Sequence, residues 1–419
     1  MVFVRQGKRK EIRDKDMNEY IKQLPPMLND DWLVKELTVL PKYKSGLIEK
    51  SDRLTALLDI YKIYIPSNTT LDIYNRLYLS VLGSLEKKNT IVETQILNDN
   101  YRFIKGLNRY GVIGGFDSFK LTGNAGVGKT SAVERCIDVI TQNRIIKTTK
   151  PYREIIPILV VETVSDCSIK NLLYSILIKV DEKLNTKFFL SNKSQQTTVD
   201  ILLAAVSNVL TNHVALLCID EIERVIENKK GITLLNYLTQ LINQSNISIC
   251  FIGTEESNQF FEMKEYLARR TIGVSLKKME YGEFFTNFCK VLFSYQYTLN
   301  KVEFNSELSH WLYNHSNGLP SMLITLFVEA QREAIISGKE KLDIDTFEKV
   351  FKENFSTMAQ YIGIKTVRHY MPTKKDFIRL ENNTSVNCFN VFQKTSQIAN
   401  KDINKAIVLL KECVAVEFI

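Results

Sequence analysis

The chain has 419 residues, 45% hydrophobic and 24% charged, with a net charge of +8. That is a globular composition with room for two or three domains, and its basic excess fits an anionic partner as readily as a moderately basic enzyme. Seven cysteines without a C-x-x-C pair, four histidines without metal-site spacing, no secretory signal and no bilayer-length apolar run predict a cytoplasmic, membrane-free protein with reduced thiols.

The first 60 residues read as an N-terminal extension that contacts a partner or DNA. Lys8-Arg9-Lys10 and Arg13 form a basic cluster, either a solvated end or an arm that touches phosphate. Leu24-Pro25-Pro26 and Leu40-Pro41 break any long helix and predict an extended segment. From Tyr61 the pattern changes. Leu71, Tyr74, Leu77, Tyr78 and Leu82 recur at helical spacing behind Ser67 or Asn68 as a cap. Asn108–Phe116 is a Gly-rich turn leading into a first strand, Phe119–Thr122.

Alternating units follow. Strands are predicted at Ile158–Thr163, Val214–Glu221, Ile247–Thr254 and Val274–Leu276. Helices are predicted at Ser168–Lys183, Thr198–Thr211 and Gly231–Ser245. Near-continuous apolar strands between helices indicate an α/β fold, a five-stranded parallel sheet covered on both faces. With its entry helix this core spans residues 61–278. Beyond it, four amphipathic helices marked by Phe284–Phe293, Leu308–Leu312, Met322–Ala330 and Phe347–Phe351 predict an all-α lid over 279–362. Residues 363–419, rich in Asn and Lys, read as a C-terminal tail.

Gly123-Asn124-Ala125-Gly126-Val127-Gly128-Lys129-Thr130 has the form G-x-x-x-x-G-K-T between a strand and a helix. Such a loop turns successive N–H groups onto the phosphates of a nucleotide. Lys129 reaches the β and γ phosphates, the Thr130 hydroxyl ligates Mg²⁺, and the helix beginning at Ser131 presents its positive end. Asp220-Glu221 closes the third strand, where ligands of such sheets bind. There an aspartate can hold the Mg²⁺ shell and a glutamate can orient the attacking water. Thr254, at the end of the fourth strand, either contacts the γ-phosphate or lytic water, or caps a helix before Glu255-Glu256. Arg269-Arg270 is either a trans-acting arginine offered to a neighbouring subunit or a surface pair. Lys147, Lys150, Arg153 and Lys170 flank the second strand; in a chain of net charge +8 they are either candidate contacts to a DNA backbone or simply solvated cations.

Together the phosphate loop, the I-D-E and F-I-G-T strand ends, the A-R-R that follows and the helical lid resemble AAA+ ATPases. Within that superfamily, Tyr64-Ile65-Pro66, the short distance from I-D-E to F-I-G-T-E, and Leu267–Arg270 resemble the TnsC/TniB family of ATP-dependent transposition regulators. The resemblance covers about residues 60–340. It implies a P-loop AAA+ core with a helical lid, and ATP-dependent homo-oligomers, rings or helical filaments, on duplex DNA. Such assemblies link a target-selector protein to a transposase. Gly123–Thr130 corresponds to Walker A, Asp220-Glu221 to Walker B, Thr254 to sensor 1, and Arg269 or Arg270 to the arginine finger. Ser321 follows Gly318-Leu319-Pro320 where many AAA+ lids carry a sensor 2 arginine, which implies slow, regulatory hydrolysis. Two other readings remain: a replication initiator or helicase loader of the same superfamily, and a nucleotide-gated DNA scaffold with little turnover.

Overall fold

The computed structural model describes residues 19–88, 118–149, 152–163, 168–194, 196–226, 231–245, 247–262 and 273–355. The basic N-terminal cluster, the Asn108–Phe116 turn and the 363–419 tail lie outside them. The described N-terminal segment is partly helical. After a short helical turn at Glu19–Lys22 come α1 (Asp30–Leu37), capped by the Asn29 side chain accepting from Trp32 N, and α2 (Lys50–Ala56). A 3₁₀ stretch, Leu57–Lys62, continues α2. α3 (Asn68–Lys87) opens with a capping box between Ser67 and Thr70. Its Ile73, Tyr74, Leu77, Tyr78, Val81 and Leu85 are buried, so the predicted Tyr and Leu stripe is core.

The Pro25-Pro26 segment does run between helices, but it lies on the chain's own α3. Tyr78 Oη donates to the Pro25 carbonyl at 2.8 Å, and the Leu28 amide donates to Tyr74 Oη at 3.1 Å. Two phenols thus satisfy backbone groups that proline prevents from pairing in a helix.

The sheet has six strands: β1 (Phe119–Thr122), β2 (Ile146–Thr149), β3 (Tyr152–Glu162), β4 (Val214–Asp220), β5 (Ser248–Gly253) and β6 (Val274–Ser275). Their order is β2-β3-β4-β5-β1-β6. Five of them pair in parallel, as predicted. The sixth, β2, is an added antiparallel edge on β3. Every residue of β4 and β5 is buried, because helices cover both faces. α4 (Lys129–Thr141), α5 (Ile169–Leu184), α6 (Val199–His213) and α7 (Gly231–Ser245) are those crossover helices. Leu172, Leu173, Ile176 and Val180 of α5 share one core with Leu202, Leu203 and Val206 of α6 and with Leu217 and Ile219 of β4.

The lid holds α8 (Glu283–Phe293), α9 (Ser306–Ser316), α10 (Pro320–Ser337) and α11 (Ile344–Val350). These are the four expected helices. Phe293 centres them, with its ring 5.1 Å from Phe327 and 6.4 Å from Phe347. The N-terminal segment reaches this lid: Tyr43 stacks on Tyr297 at 5.1 Å, and Arg53 forks onto Glu340 at 2.6 and 2.8 Å.

Candidate functional site

The phosphate loop connects β1 to α4. Gly128 is the N-cap residue of α4 at φ 92°, a left-handed conformation that a β-carbon disfavours. The loop therefore ends with the first amides of α4 free of side-chain caps, a geometry that binds anions. Lys129 Nζ donates to the carbonyls of Gly123 at 2.7 Å and Asn124 at 3.1 Å. Burial pushes its ammonium below the ordinary lysine range, against the opposing pull of Glu223, Asp220, Glu256 and Glu255.

The strand order brings the acidic pair to this loop. Thr130 Oγ1 donates to Asp220 Oδ2 at 3.1 Å, so the two predicted Mg²⁺ ligands touch. Asp220 is 5% exposed, and its second oxygen accepts the Glu221 amide at 2.7 Å. Thr130 and Asp220 thus bring a hydroxyl and a carboxylate oxygen together, the oxygen ligands that a hard cation takes.

Glu221 itself adopts φ 57°, unusual for a residue with a side chain and the kind of strain found at working sites. Its backbone carbonyl accepts Thr163 Oγ1 at 2.5 Å, and its carboxylate pairs with Arg224 at 2.5 Å. Arg224 also donates to the Thr163 carbonyl at 3.2 Å. Thr254 is the N-cap residue of the short 3₁₀ turn Glu255–Ser257, yet its side chain makes no cap bond. Its hydroxyl is buried without a hydrogen-bond partner.

Beside Thr130 and Ser131 opens a cavity of about 600 Å³, within the size range of a nucleotide site. Gly126, Val127 and Gly128 form one wall, and Phe284, Phe288 and Ile324 of the lid another. Tyr61–Ile65 supplies the rim. Tyr64 is fixed by an isolated bridge to Val39, with amide–carbonyl distances of 2.8 and 2.9 Å, and burial raises its phenol to about 12. In the sequence Phe284 and Phe288 mark only an amphipathic helix of the lid. Phe284 is 40% exposed, and that departure from a pure core stripe marks its place at the cavity.

The remaining expected residues separate. Lys147 and Arg153 sit on the β2–β3 hairpin, where Lys147 pairs with Glu154 at 2.6 Å. Lys170 is at the start of α5, beyond the carboxyl end of β3, with its ammonium 5.8 Å from the Tyr174 ring. Strand β3 has eleven residues, about 35 Å of extended chain, so Lys170 does not share a surface with the hairpin cations. Lys150, Arg269 and Arg270 lie outside the described residues.

No curated relative matches the chain. Among solved structures, the ORC2 protein of Aeropyrum pernix in its ADP form is 14% identical over 62% of this chain and 67% of that one, with a TM-score of 0.38. The ORC1 protein of the same organism, in complex with DNA, is 13% identical over 78% and 79%, with a TM-score of 0.39. Domain III of the Thermotoga maritima replication initiation protein DnaA is 14% identical over 61% and 89%, with a TM-score of 0.35. A family model described as "Bacterial TniB protein" matches residues 76–281. That span holds all six strands, the phosphate loop and the Asp220-Glu221 strand end. With a P-loop after β1, acids after β4, a small polar residue after β5 and a helical lid, the chain has an AAA+ ATPase fold, and over residues 76–281 it is similar to the TniB family.

Proposed function

We propose that this chain is an ATP-hydrolysing regulator of DNA transposition. It binds ATP with Mg²⁺, assembles as a ring or helical filament on duplex DNA, and links a target-selector protein to a transposase. It works in the cytoplasm, on the nucleoid when bound to DNA. The observation that carries the ATPase reading is the 3.1 Å contact between Thr130 Oγ1 and Asp220 Oδ2. It joins the phosphate loop to the strand-end acid, as a nucleotide–metal site requires. The match of residues 76–281 to the TniB family model supports the transposition role.

In this reading the loop amides of Gly123 to Thr130 and the Ser131 amide cradle the phosphates, and Lys129 leaves the loop carbonyls to meet them. Thr130 and Asp220 hold Mg²⁺, which supplies charge neutralisation at the phosphates. Glu221, freed from Arg224, orients the attacking water, and Thr254 offers its unpaired hydroxyl to the same end of the nucleotide. Arg269 or Arg270 from an adjoining protomer completes the site. DNA is held by its phosphates, with Lys147, Lys150, Arg153 and Lys170 as candidate contacts, Lys170 through a surface separate from the hairpin.

Electron microscopy of the full chain with duplex DNA, with and without ATP, tests the reading. Regular rings or filaments that need both ligands support it. Monomers under every condition overturn it. Backbone binding also releases counterions, so DNA affinity must fall steeply with salt. Affinity that is flat between low and moderate salt contradicts the DNA assignment.

A further inference from the structure

Glu223 stands two residues past the strand-end pair, outside every motif discussed above. Its carboxylate crosses from the turn after β4 to the end of β5, where Oε2 accepts the Thr254 amide at 3.2 Å. The strand end has room for it only because residue 253 is glycine. A β-carbon there would stand 2.8 Å from Glu223 Oε2 and 2.7 Å from Ile222 Cγ2, closer than packed atoms tolerate.

The rest of Thr254 is fixed as well. Its carbonyl accepts Ser257 Oγ at 2.6 Å and the Ser257 amide at 3.1 Å. The hydroxyl alone is left, buried and without a hydrogen-bond partner. Leaving such a group unpaired is costly, a cost recovered when a ligand supplies the partner. The register Thr122↔Gly253 sets Thr254 beside Gly123, the first residue of the phosphate loop. Glu223 is also the first of the carboxylates that pull on the Lys129 ammonium of the phosphate loop.

We infer that Glu223 is a positioning residue for turnover: by holding the Thr254 amide, it aims the Thr254 hydroxyl at the phosphate end of the bound nucleotide. The inference rests on the ATPase reading above. The hydrogen bond needs an acceptor and not a charge. Glutamine at 223 retains that acceptor, whereas alanine does not.

The test is steady-state ATPase kinetics on the full chain, with nucleotide affinity measured by calorimetry, for Glu223→Ala, Glu223→Gln and Thr254→Val. Glu223→Ala lowers kcat about tenfold and moves KM less than about twofold, the signature of an interaction used in the transition state. Glu223→Gln recovers kcat to within about twofold of wild type, as an amide oxygen still accepts the bond. In the Thr254→Val background, Glu223→Ala adds less than about twofold, because both act through one hydroxyl.

A glutamine variant as impaired as alanine overturns the inference in favour of the charge. So does an alanine variant with wild-type kcat, or one whose only change is a raised KM. Lys129→Ala, measured in parallel, tests the underlying reading separately. Its loss of turnover upholds the ATPase whatever Glu223 does, and its full activity overturns the ATPase itself.

Discussion

Replacing Arg53 with alanine removes a cation that is 5% exposed and spans two parts of the chain. Arg53 leaves α2 and donates to both Glu340 oxygens, at 2.6 and 2.8 Å, and to the Tyr297 carbonyl at 3.1 Å. Removing one partner of a buried ion pair costs about 3–5 kcal/mol, mostly by stranding the other charge. Glu340 retains the Leu299 amide at 3.1 Å and 13% side-chain exposure, so about 3 kcal/mol is expected. At about 2.1 cal/mol/K of unfolding entropy per residue, that corresponds to a loss of roughly 3–4 °C in Tm for a chain of 419 residues.

The chain's two tryptophans report on both parts: Trp311 of the lid, stacked on His315 at 3.7 Å, and Trp32 of α1. A urea melt followed by their fluorescence gives the difference. The pair also sets a pH dependence. The hydrogen bond from Arg53 holds the Glu340 carboxyl below its ordinary value of 4.5. A depressed carboxyl stabilises the fold above its unfolded value and loses that contribution as pH falls through the folded one. The gap between wild type and Arg53→Ala should therefore be full at neutral pH and narrow on acidification below 4.5. A joint replacement, Arg53→Met with Glu340→Leu, should recover most of the loss. Wild-type stability in Arg53→Ala, within about 0.5 kcal/mol, would refute the reasoning.

Lys129→Ala should abolish nucleotide binding, because the phosphates lose their central cation; equal calorimetric affinity for ATP in mutant and wild type rules out the phosphate-loop assignment. Glu221→Gln should keep ATP binding while turnover falls about 10²–10⁴-fold, with longer-lived DNA complexes. Hydrolysis at the wild-type rate removes Glu221 from the mechanism. A protomer carrying Arg269→Ala and Arg270→Ala should bind ATP but hydrolyse it poorly, and regain activity when mixed with a Lys129→Ala protomer. No recovery between co-assembled proteins counts against a shared site.

The parallel core was legible because its strands are buried on both faces. An all-apolar run such as Val214–Ile219 has few other places to go, and the α7 range matches its prediction at both ends. The β2–β3 hairpin was hidden by the same logic. Lys147, Arg153 and Glu154 interrupt its apolar pattern, yet Lys147↔Glu154 is a paired position in the register, and their 2.6 Å ion pair is a cross-strand contact that favours the pairing. The N-terminal segment was illegible for another reason. What anchors it lies far along the chain: the Tyr74 and Tyr78 phenols for the proline segment, and Glu340, 287 residues from Arg53. At the site, motif spacing located Thr130 and Asp220, whereas Glu223 carries no motif. Its role comes from a hydrogen bond between strand ends that only the strand order brings together.

The serine at 321 follows from how the lid meets the phosphate loop. The Leu276 amide donates to the Thr122 carbonyl at 2.7 Å, at the base of the loop, and the Met279 amide to the Gly318 carbonyl at 2.9 Å, at the turn before α10. The Ser321 amide then points at the Gly126 carbonyl at 3.3 Å, so α10 starts directly on the loop. A β-carbon at Gly126 would lie 2.4 Å from Ser321 Oγ and 3.6 Å from its Cβ. A glycine opposite a serine is the arrangement that admits this approach, since both are small. An arginine at 321 acts at a distance through a long side chain. Here the lid touches the loop backbone instead, through the Ser321 amide at the first turn of α10. Glu340, which follows the C-terminal end of α10, pairs with Arg53 of α2, and the Leu57–Lys62 stretch that continues α2 leads to the cavity lining at Tyr61–Ile65. The lid and the N-terminal segment are thereby joined around the cavity by backbone contacts and an ion pair, which is how a serine at 321 can serve where a long side chain is absent.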